Sequence, residues 1–330
     1  MTSDRVAFRA PSDPLLRDAD LVHVVELPVL GIPTRFESNS ETVAALVVED
    51  FGSWRRASTL VDPTIPHCTV RIVVHAEPDA DPREPLTRST ADGRLFLHSG
   101  ASVAVVDPAR RESLAYVSAD LVASEDLFRE SFLAAVTFAL VAAFDRHPVH
   151  AAAIARDGRA LLLAGPSGAG KSTLACLAHL EGFRLMSDDI VWVQSAPALR
   201  IWASTRGAHL RADALEKLAI TDMHPAMRAR DGKRRVPVMS ADETTPWVAA
   251  GDARVCILEP GSAAHLERLT PAAIAEALAG QVDPGFDRFP ERQARVIEAL
   301  AAPGGWRLTL SSDPREALPF IEAMLGVTAP

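Results

Sequence analysis

Residues Gly165-Pro-Ser-Gly-Ala-Gly-Lys-Ser172 satisfy G-x-x-x-x-G-K-[ST] without a mismatch, and Thr173 follows. Gly165, Gly168 and Gly170 let the backbone curl so that successive N–H groups converge on phosphate oxygens. Pro166, Ser167 and Ala169 complete the loop. A helix opening at its end adds partial positive charge. Lys171 can reach β- and γ-phosphates, and the Ser172 hydroxyl suits a magnesium ion. Thr173 is a lesser candidate for a phosphate or structural hydrogen bond. The loop implies a nucleotide with Mg2+ and does not by itself separate ATP from GTP or transferase from hydrolase.

Asp188-Asp189 lies seventeen residues beyond Lys171. One acid of such a pair can join Ser172 in holding magnesium, and the other can take a proton from an attacking hydroxyl. Crowding of like charges is expected to raise one pKa of the pair. A solvated turn is the alternative, since Asp is common in turns. The short interval predicts a compact, hairpin-like return from the loop rather than a long crossover. His150 heads the strand before the loop strand and is a candidate for the catalytic neighbourhood, with a satisfied strand-end histidine as the alternative. His147 stands three residues earlier, but Pro148 intervenes and no third ligand is near, so it reads as a surface or capping residue. Further on, Lys233 and Arg234 sit in a basic turn and are candidates to clamp a transferring phosphoryl group, weighed evenly against a solvated surface. Arg206 is a weaker candidate, and Asp242-Glu243 has only its charge to recommend it.

These residues need elements to hold them. The runs Val149–Ile154 and Arg159–Ala164 read as strands around an Asp157-Gly158 turn, and Ser172–Glu181 reads as a helix ended by Gly182. Strand-like runs 183–185 and 190–193 flank the acidic pair. Short helices are predicted over 213–220, 271–278, 288–301 and 314–324, and a strand over 253–258. Before them, Glu125–Phe144 reads as a helix, and its apolar run Phe132–Phe144 is too short to span a membrane. The N-terminal part shows short β-like runs at 21–30, 68–74, 94–97 and 102–106, expected to pair antiparallel, with a loop over 75–93 and a loosely docked arm over 1–20. The fold class is therefore α/β, with residues 1–123 a smaller α+β or mainly β domain for substrate recognition or an accessory role. Residues 124–330 are expected to form a second domain that carries the nucleotide loop, an ATP-binding catalytic domain on the resemblance given next.

Taken together, His150-Ala-Ala-Ala-Ile154, the loop 165–172, Leu180-Glu-Gly-Phe-Arg-Leu185 and Ser187-Asp-Asp-Ile-Val191 resemble the catalytic domain of the HPr kinase/phosphorylase family. That P-loop fold is similar to the one of phosphoenolpyruvate carboxykinase. The resemblance implies an ATP-dependent kinase acting on a serine hydroxyl of a peptide, protein or small molecule. It implies that Lys171 meets the phosphates and Ser172 the magnesium. It implies that Asp188 and Asp189 divide base and metal roles, and that His150 lies beside the phosphates. The family's downstream Arg- and Gly-rich segment has only Arg206-Gly207 as a near shape here. That weighs against HPr as substrate and against the phosphorylase direction. A nucleotide-binding regulatory module and a carboxykinase-like enzyme are the competing readings.

Composition narrows the field. The chain has 330 residues with a formal net charge of -9, so it offers no broad basic field for nucleic acid. Cys68, Cys176 and Cys256 lie far apart and form no disulfide framework, and no apolar signal core opens the chain, which together predict a cytoplasmic protein without a membrane partner. A homo-oligomer is compatible with the sequence. Trp192, Trp202, Trp247 and Trp306 have no regular spacing and read as packing residues rather than a base-stacking platform.

Overall fold

In a computed structural model, residues 19–55, 65–90, 92–195, 198–203, 208–220, 232–236, 247–249, 253–281 and 289–326 are described. The chain begins with β1 (His23–Val29), β2 (Ile32–Ser38), α1 (Glu41–Phe51), β3 (Cys68–His75), β4 (Leu86–Ser89), β5 (Leu95–Ser99), β6 (Ser102–Asp107) and β7 (Glu112–Ser118). They form one seven-stranded sheet in the order β1-β2-β3-β7-β6-β5-β4. Contrary to the antiparallel expectation, β2–β3 and β3–β7 are parallel. Parallel neighbours need a crossover: α1 supplies it between β2 and β3, and the chain from β3 to β7 returns through β4, β5 and β6. The span expected as a loop over 75–93 contains the edge strand β4. The arm over residues 1–18 lies outside the described residues.

A helical stretch follows: α2 (Ala119–Ala123), α3 (Glu125–Leu127), a π-turn Phe128–Leu133, α4 (Ala134–Val141) and a 3-10 turn to Phe144. Glu125–Phe144 is, among the described residues, the helix long and apolar enough to cross a bilayer, and 61% of its apolar window is buried inside the protein. It outruns the apolar segment because its charged first turns have partners. The buried Arg129 guanidinium pairs with Asp50, Glu49 and Glu125. Phe128, Phe132, Val136 and Leu140 pack with Phe36, Val43, Phe51 and Val70 beneath the sheet.

The remaining strands are β8 (Arg146–His150), β9 (Ala152–Arg156), β10 (Arg159–Ala164), β11 (Arg184–Ser187), β12 (Ile190–Gln194), β13 (Arg200–Trp202), β14 (Ala208–Leu210), β15 (Arg234–Val236), β16 (Trp247–Ala249), β17 (Ala253–Pro260), β18 (His265–Leu269) and β19 (Gly305–Leu310). The helices are α5 (Lys171–Leu180), α6 (Ala212–Lys217), α7 (Pro271–Ala279), α8 (Pro290–Ala301) and α9 (Leu318–Leu325). A mixed six-stranded sheet runs β11-β9-β10-β17-β19-β18 and a four-stranded one runs β16-β13-β12-β8. Strand β10 alternates as a strand buried on both faces should. Leu161 and Leu163 face α5 and α9, while Ala160, Leu162 and Ala164 face α7, α8 and the four-stranded sheet. The protein is α/β.

Three expectations are corrected. The single strand over 149–154 is two strands, β8 and β9, in different sheets. The return from the loop is a crossover rather than a hairpin. Strand β9 is antiparallel to both β10 and β11, so β10 and β11 run parallel with β9 between them. His147 is buried rather than superficial, because it lies within β8 opposite Val193 of β12. Burial pushes its imidazole pKa down.

The seven-stranded sheet and the rest are fastened at one seam. Trp54 Nε1 donates to the Ala203 carbonyl (3.1 Å), and Arg146 Nε donates to the Leu30 carbonyl (2.7 Å). Trp192 stacks on Phe138 with centroids 4.7 Å apart. At the β1–β2 turn Gly31 has φ +76°, and a Cβ there would lie 2.7 Å from the Trp202 ring. Gly31→Ala meets both backbone strain and a clash with a buried ring. It is expected to lower stability by roughly 1–3 kcal/mol, read as an earlier midpoint in urea unfolding.

Candidate active site

Strand polarity gathers the site. Because β10 and β11 are parallel and β9 runs opposite, the ends of β10 and β11 and the start of β9 meet at one sheet edge. The register fixes this, with Leu163 opposite Ala152 and Ser187 opposite Ala153. The phosphate loop leaves β10, Asp188-Asp189 leaves β11, and His150 stands just before β9. Ligands of open α/β sheets bind at this carboxyl edge.

The loop is shaped by its glycines. Gly165 has φ +144° and a Cβ there would lie 2.6 Å from the Leu258 carbonyl oxygen, so only glycine fits beside β17. Its N–H donates to Gln281 Oε1 (2.8 Å), which ties the loop to the end of α7. Gly168 and Gly170 are also left-handed. Pro166, Ser167 and Gly168 are exposed at the tip, and Ala169 is buried under it. Helix α5 then starts at Lys171, with Gly170 as a cap that has no side chain. The first N–H groups of a helix have no intrahelical acceptor, so α5 turns unsatisfied donors and its positive end toward the loop. Lys171 Nζ donates to the carbonyls of Gly165 (2.7 Å) and Pro166 (3.3 Å), with Nζ against the loop backbone. Thr173 is half-buried in the first turn.

The acids are held by a tight link between β11 and β12. Ser187 Oγ accepts from the Asp189 N–H (3.3 Å) and donates to the Ile190 carbonyl (2.6 Å). Ser172 Oγ donates to the main-chain carbonyl of Asp188 (3.0 Å), so loop and acids touch directly. Asp188 is buried, and its Oδ2 accepts from the main-chain N–H of His209 (2.6 Å) and faces its Nδ1 at 3.0 Å. Asp189 is more open, its side chain 48% exposed, and its Oδ1 lies 3.2 Å from His150 Nε2.

Asp189 does not show the raised pKa expected of a crowded pair. The hydrogen bond from His150 holds its carboxyl below the usual range, against burial, with help from the positive charges of His150, Lys233 and Lys171. The two acids do not confront one another because each side chain has its own histidine.

Lys233 thus belongs to the electrostatic surroundings of Asp189. The basic segment is not simply a turn: Arg234 and Arg235 begin β15, opposite Leu210 and His209 of β14. Nothing further is described of the Arg234 side chain. Arg206, Asp242 and Glu243 lie outside the described residues. Trp192 and Trp202 are buried in the core and Trp306 is half-buried under Arg268. Sequence reasoning missed His209 and Gln281. His209 sits in a three-residue strand with no motif around it, and Gln281 follows a helix whose composition is unremarked. A possible signal for His209 was alternation alone: Ala208 and Leu210 enter the core beneath α5, so the residue between them faces away from it.

The residues fit a magnesium nucleotide. The uncapped helix end, the lysine and the glycine-shaped loop suit phosphates, and a serine hydroxyl against the main chain of an aspartate brings together oxygen donors of the kind magnesium takes. Among the described residues, no cluster of three or more His, Cys, Asp or Glu forms a metal cage.

No family model and no curated protein matches this chain. Among solved structures, it is similar to the Hpr(Ser) kinase/phosphatase from Coxiella burnetii over 55% of this chain and 94% of that one, at 11% identity and a TM-score of 0.26. An overlap that loose adds nothing to what the residues themselves establish.

The direction of the Asp189 shift gives a pH dependence. A carboxyl lowered in the fold contributes stability that is complete above its unfolded value. That contribution is lost as pH falls through the lowered folded value. His150→Ala removes the main cause, so the Asp189 midpoint, followed by carboxyl 13C NMR, is expected to move up. The loss of stability between neutral and acid pH attributable to Asp189 is expected to shrink with it.

Proposed function

We propose that the protein is an ATP-dependent kinase that transfers the γ-phosphoryl group to the serine hydroxyl of a peptide, a protein or a small molecule. The observation that carries this reading is the direct contact between phosphate loop and acids, Ser172 Oγ on the Asp188 carbonyl at 3.0 Å, with Asp189 within the electrostatic reach of Lys171. Phosphoryl transfer needs little besides position and charge: a held triphosphate, a cation at its end and a carboxylate beside the attacking oxygen. A carboxylate pair and two lysines around one loop supply those parts. Serine as the acceptor rests on the order of His150, the loop and the paired acids, which resembles a serine-kinase family.

In this reading the loop N–H groups and Lys171 bind the phosphates, and Ser172 with one of the acids faces the metal. Magnesium, when bound, supplies positive charge to the β- and γ-phosphate oxygens. Asp188 or Asp189 takes the proton of the acceptor hydroxyl as its oxygen bonds to the γ-phosphorus. The bond between that phosphorus and the β–γ bridging oxygen breaks, and ADP leaves with the electron pair. Lys233 is placed to offset negative charge near Asp189, and His150 orients the Asp189 carboxylate.

The test is transfer from radiolabelled γ-ATP with Mg2+ to a panel of serine-bearing peptides and small alcohols. The wild type is expected to label a serine acceptor. Lys171→Ala and Asp189→Asn are each expected to lower transfer by about 10²–10³-fold, as removal of charge from a preorganised site does elsewhere. Tight ATP binding with neither transfer nor hydrolysis across the panel would make the protein a nucleotide-binding regulatory module instead.

A further inference from the structure

We propose that His209 is the positioning residue for Asp188, and that the antiparallel pairing of β14 with β15 holds it at this edge. The inference rests on the kinase reading for its activity arm, and it also makes a claim about binding that stands apart from transfer.

The geometry is specific. Two groups of one residue, the main-chain N–H at 2.6 Å and ring Nδ1 at 3.0 Å, converge on a single oxygen, Oδ2, of Asp188. A lone hydrogen bond leaves a carboxylate to turn about its last torsion. Two from a main chain and a ring on one oxygen restrict that turn, and charge-assisted bonds of this kind are among the stronger ones. Asp188 is buried, so an unrestrained or unmatched charge there is costly. Neither His209 bond engages Oδ1. Among the described residues Oδ2 is the oxygen held by protein, which leaves Oδ1 to act toward the metal or the acceptor.

The fold supplies His209 from far away in sequence, 21 residues beyond Asp188. Strand β14 packs on α5, its Ala208 and Leu210 buried in one core with Leu174, Ala175 and Ala178 of α5. The helix that carries Lys171 and Ser172 thus also sets the height of His209. His209 lies opposite Arg235 in the antiparallel β14–β15 pair, and Lys233, just before β15, acts electrostatically on Asp189. One strand pair therefore carries a histidine to the first acid and a lysine near the second. Strand alternation turns the His209 ring away from the core that takes Ala208 and Leu210, and so toward Asp188.

The experiment compares His209→Ala, which deletes the ring donor, with His209→Asn, whose amide places an N–H near the position of Nδ1. Two readouts do not depend on an acceptor. In 15N NMR of the imidazole, the wild type is expected to show a protonated Nδ1 whose signal moves in Asp188→Asn. In titrations of Mg2+ into protein with ADP, His209→Ala is expected to need about 3–10-fold more metal for half-saturation, with His209→Asn near wild type. In the transfer assay, His209→Ala is expected to lower kcat by about 10–100-fold with the KM for ATP within about twofold, and His209→Asn to recover most of the loss. Overturning results are an Nδ1 signal indifferent to Asp188→Asn, or His209→Ala matching wild type in magnesium dependence and kcat. An Asn variant as impaired as the Ala variant, with both equally destabilised to heat, would make the residue structural and also overturn the proposal. If the wild type transfers to no acceptor, the kinase reading fails alone, and the NMR and magnesium titrations still decide the role of His209.

Discussion

Two paired strands bend out of one sheet into another at the same point, and the site is made from that bend. Strands β8 and β9 are one chain path, interrupted at Ala151, and β11 and β12 are another, interrupted at Asp188 and Asp189. The two paths pair antiparallel on both sides of the break: Ile190 faces His150 in one sheet and Ser187 faces Ala153 in the other. Within the break the ladder cannot serve the backbone, and buried backbone groups must find partners elsewhere. The Ser187 hydroxyl takes up two of them, and the Ser172 hydroxyl takes the Asp188 carbonyl. The interruption that costs sheet hydrogen bonds is what frees two acidic side chains to stand at the mouth of the phosphate loop.

The bend is held from both sides. Beneath the six-stranded sheet, α5, α9 and the paired strands β14 and β15 share one core, so the loop helix and the histidine on Asp188 rest on the same packing. On the other side, the four-stranded sheet leans on the N-terminal half of the chain. Trp192 and Trp202 belong to the same core as the seven-stranded sheet and α4, and Arg146 reaches from β8 to the β1–β2 turn. The strand that ends at His150 is thus fastened at its start to the N-terminal sheet and at its end to Asp189.

Charge is arranged by separation. Adjacent carboxylates in a half-buried corner would repel if both faced the same volume. Here main-chain alternation sends Asp188 inward to His209 and Asp189 outward to His150. The cations of Lys171 and Lys233 then favour the ionised form of Asp189. A pair that looks redundant in the chain is two different groups in the fold.

What the chain determines on its own is local. Gly165, Gly168 and Gly170 announce the loop because left-handed backbone is strained for other residues. Gly182 ends α5 because its N–H returns to His179 while that of Phe183 returns to Ala178, a closure completed within a few residues. Thr270 caps α7, and Asp157-Gly158 turns the chain with two left-handed residues, as a short hairpin requires. The motif of Lys171 and Ser172, and the order of His150 and the paired acids around it, could be read along the chain, while their meeting depends on β9, β10 and β11 lying side by side. The split of the sheets, the parallel pairs β2–β3 and β3–β7, the burial of His147 and the meeting of His209 with Asp188 were not legible. Each depends on which distant segments pack together, and that is set by matching apolar faces across the whole chain rather than by any short run of residues.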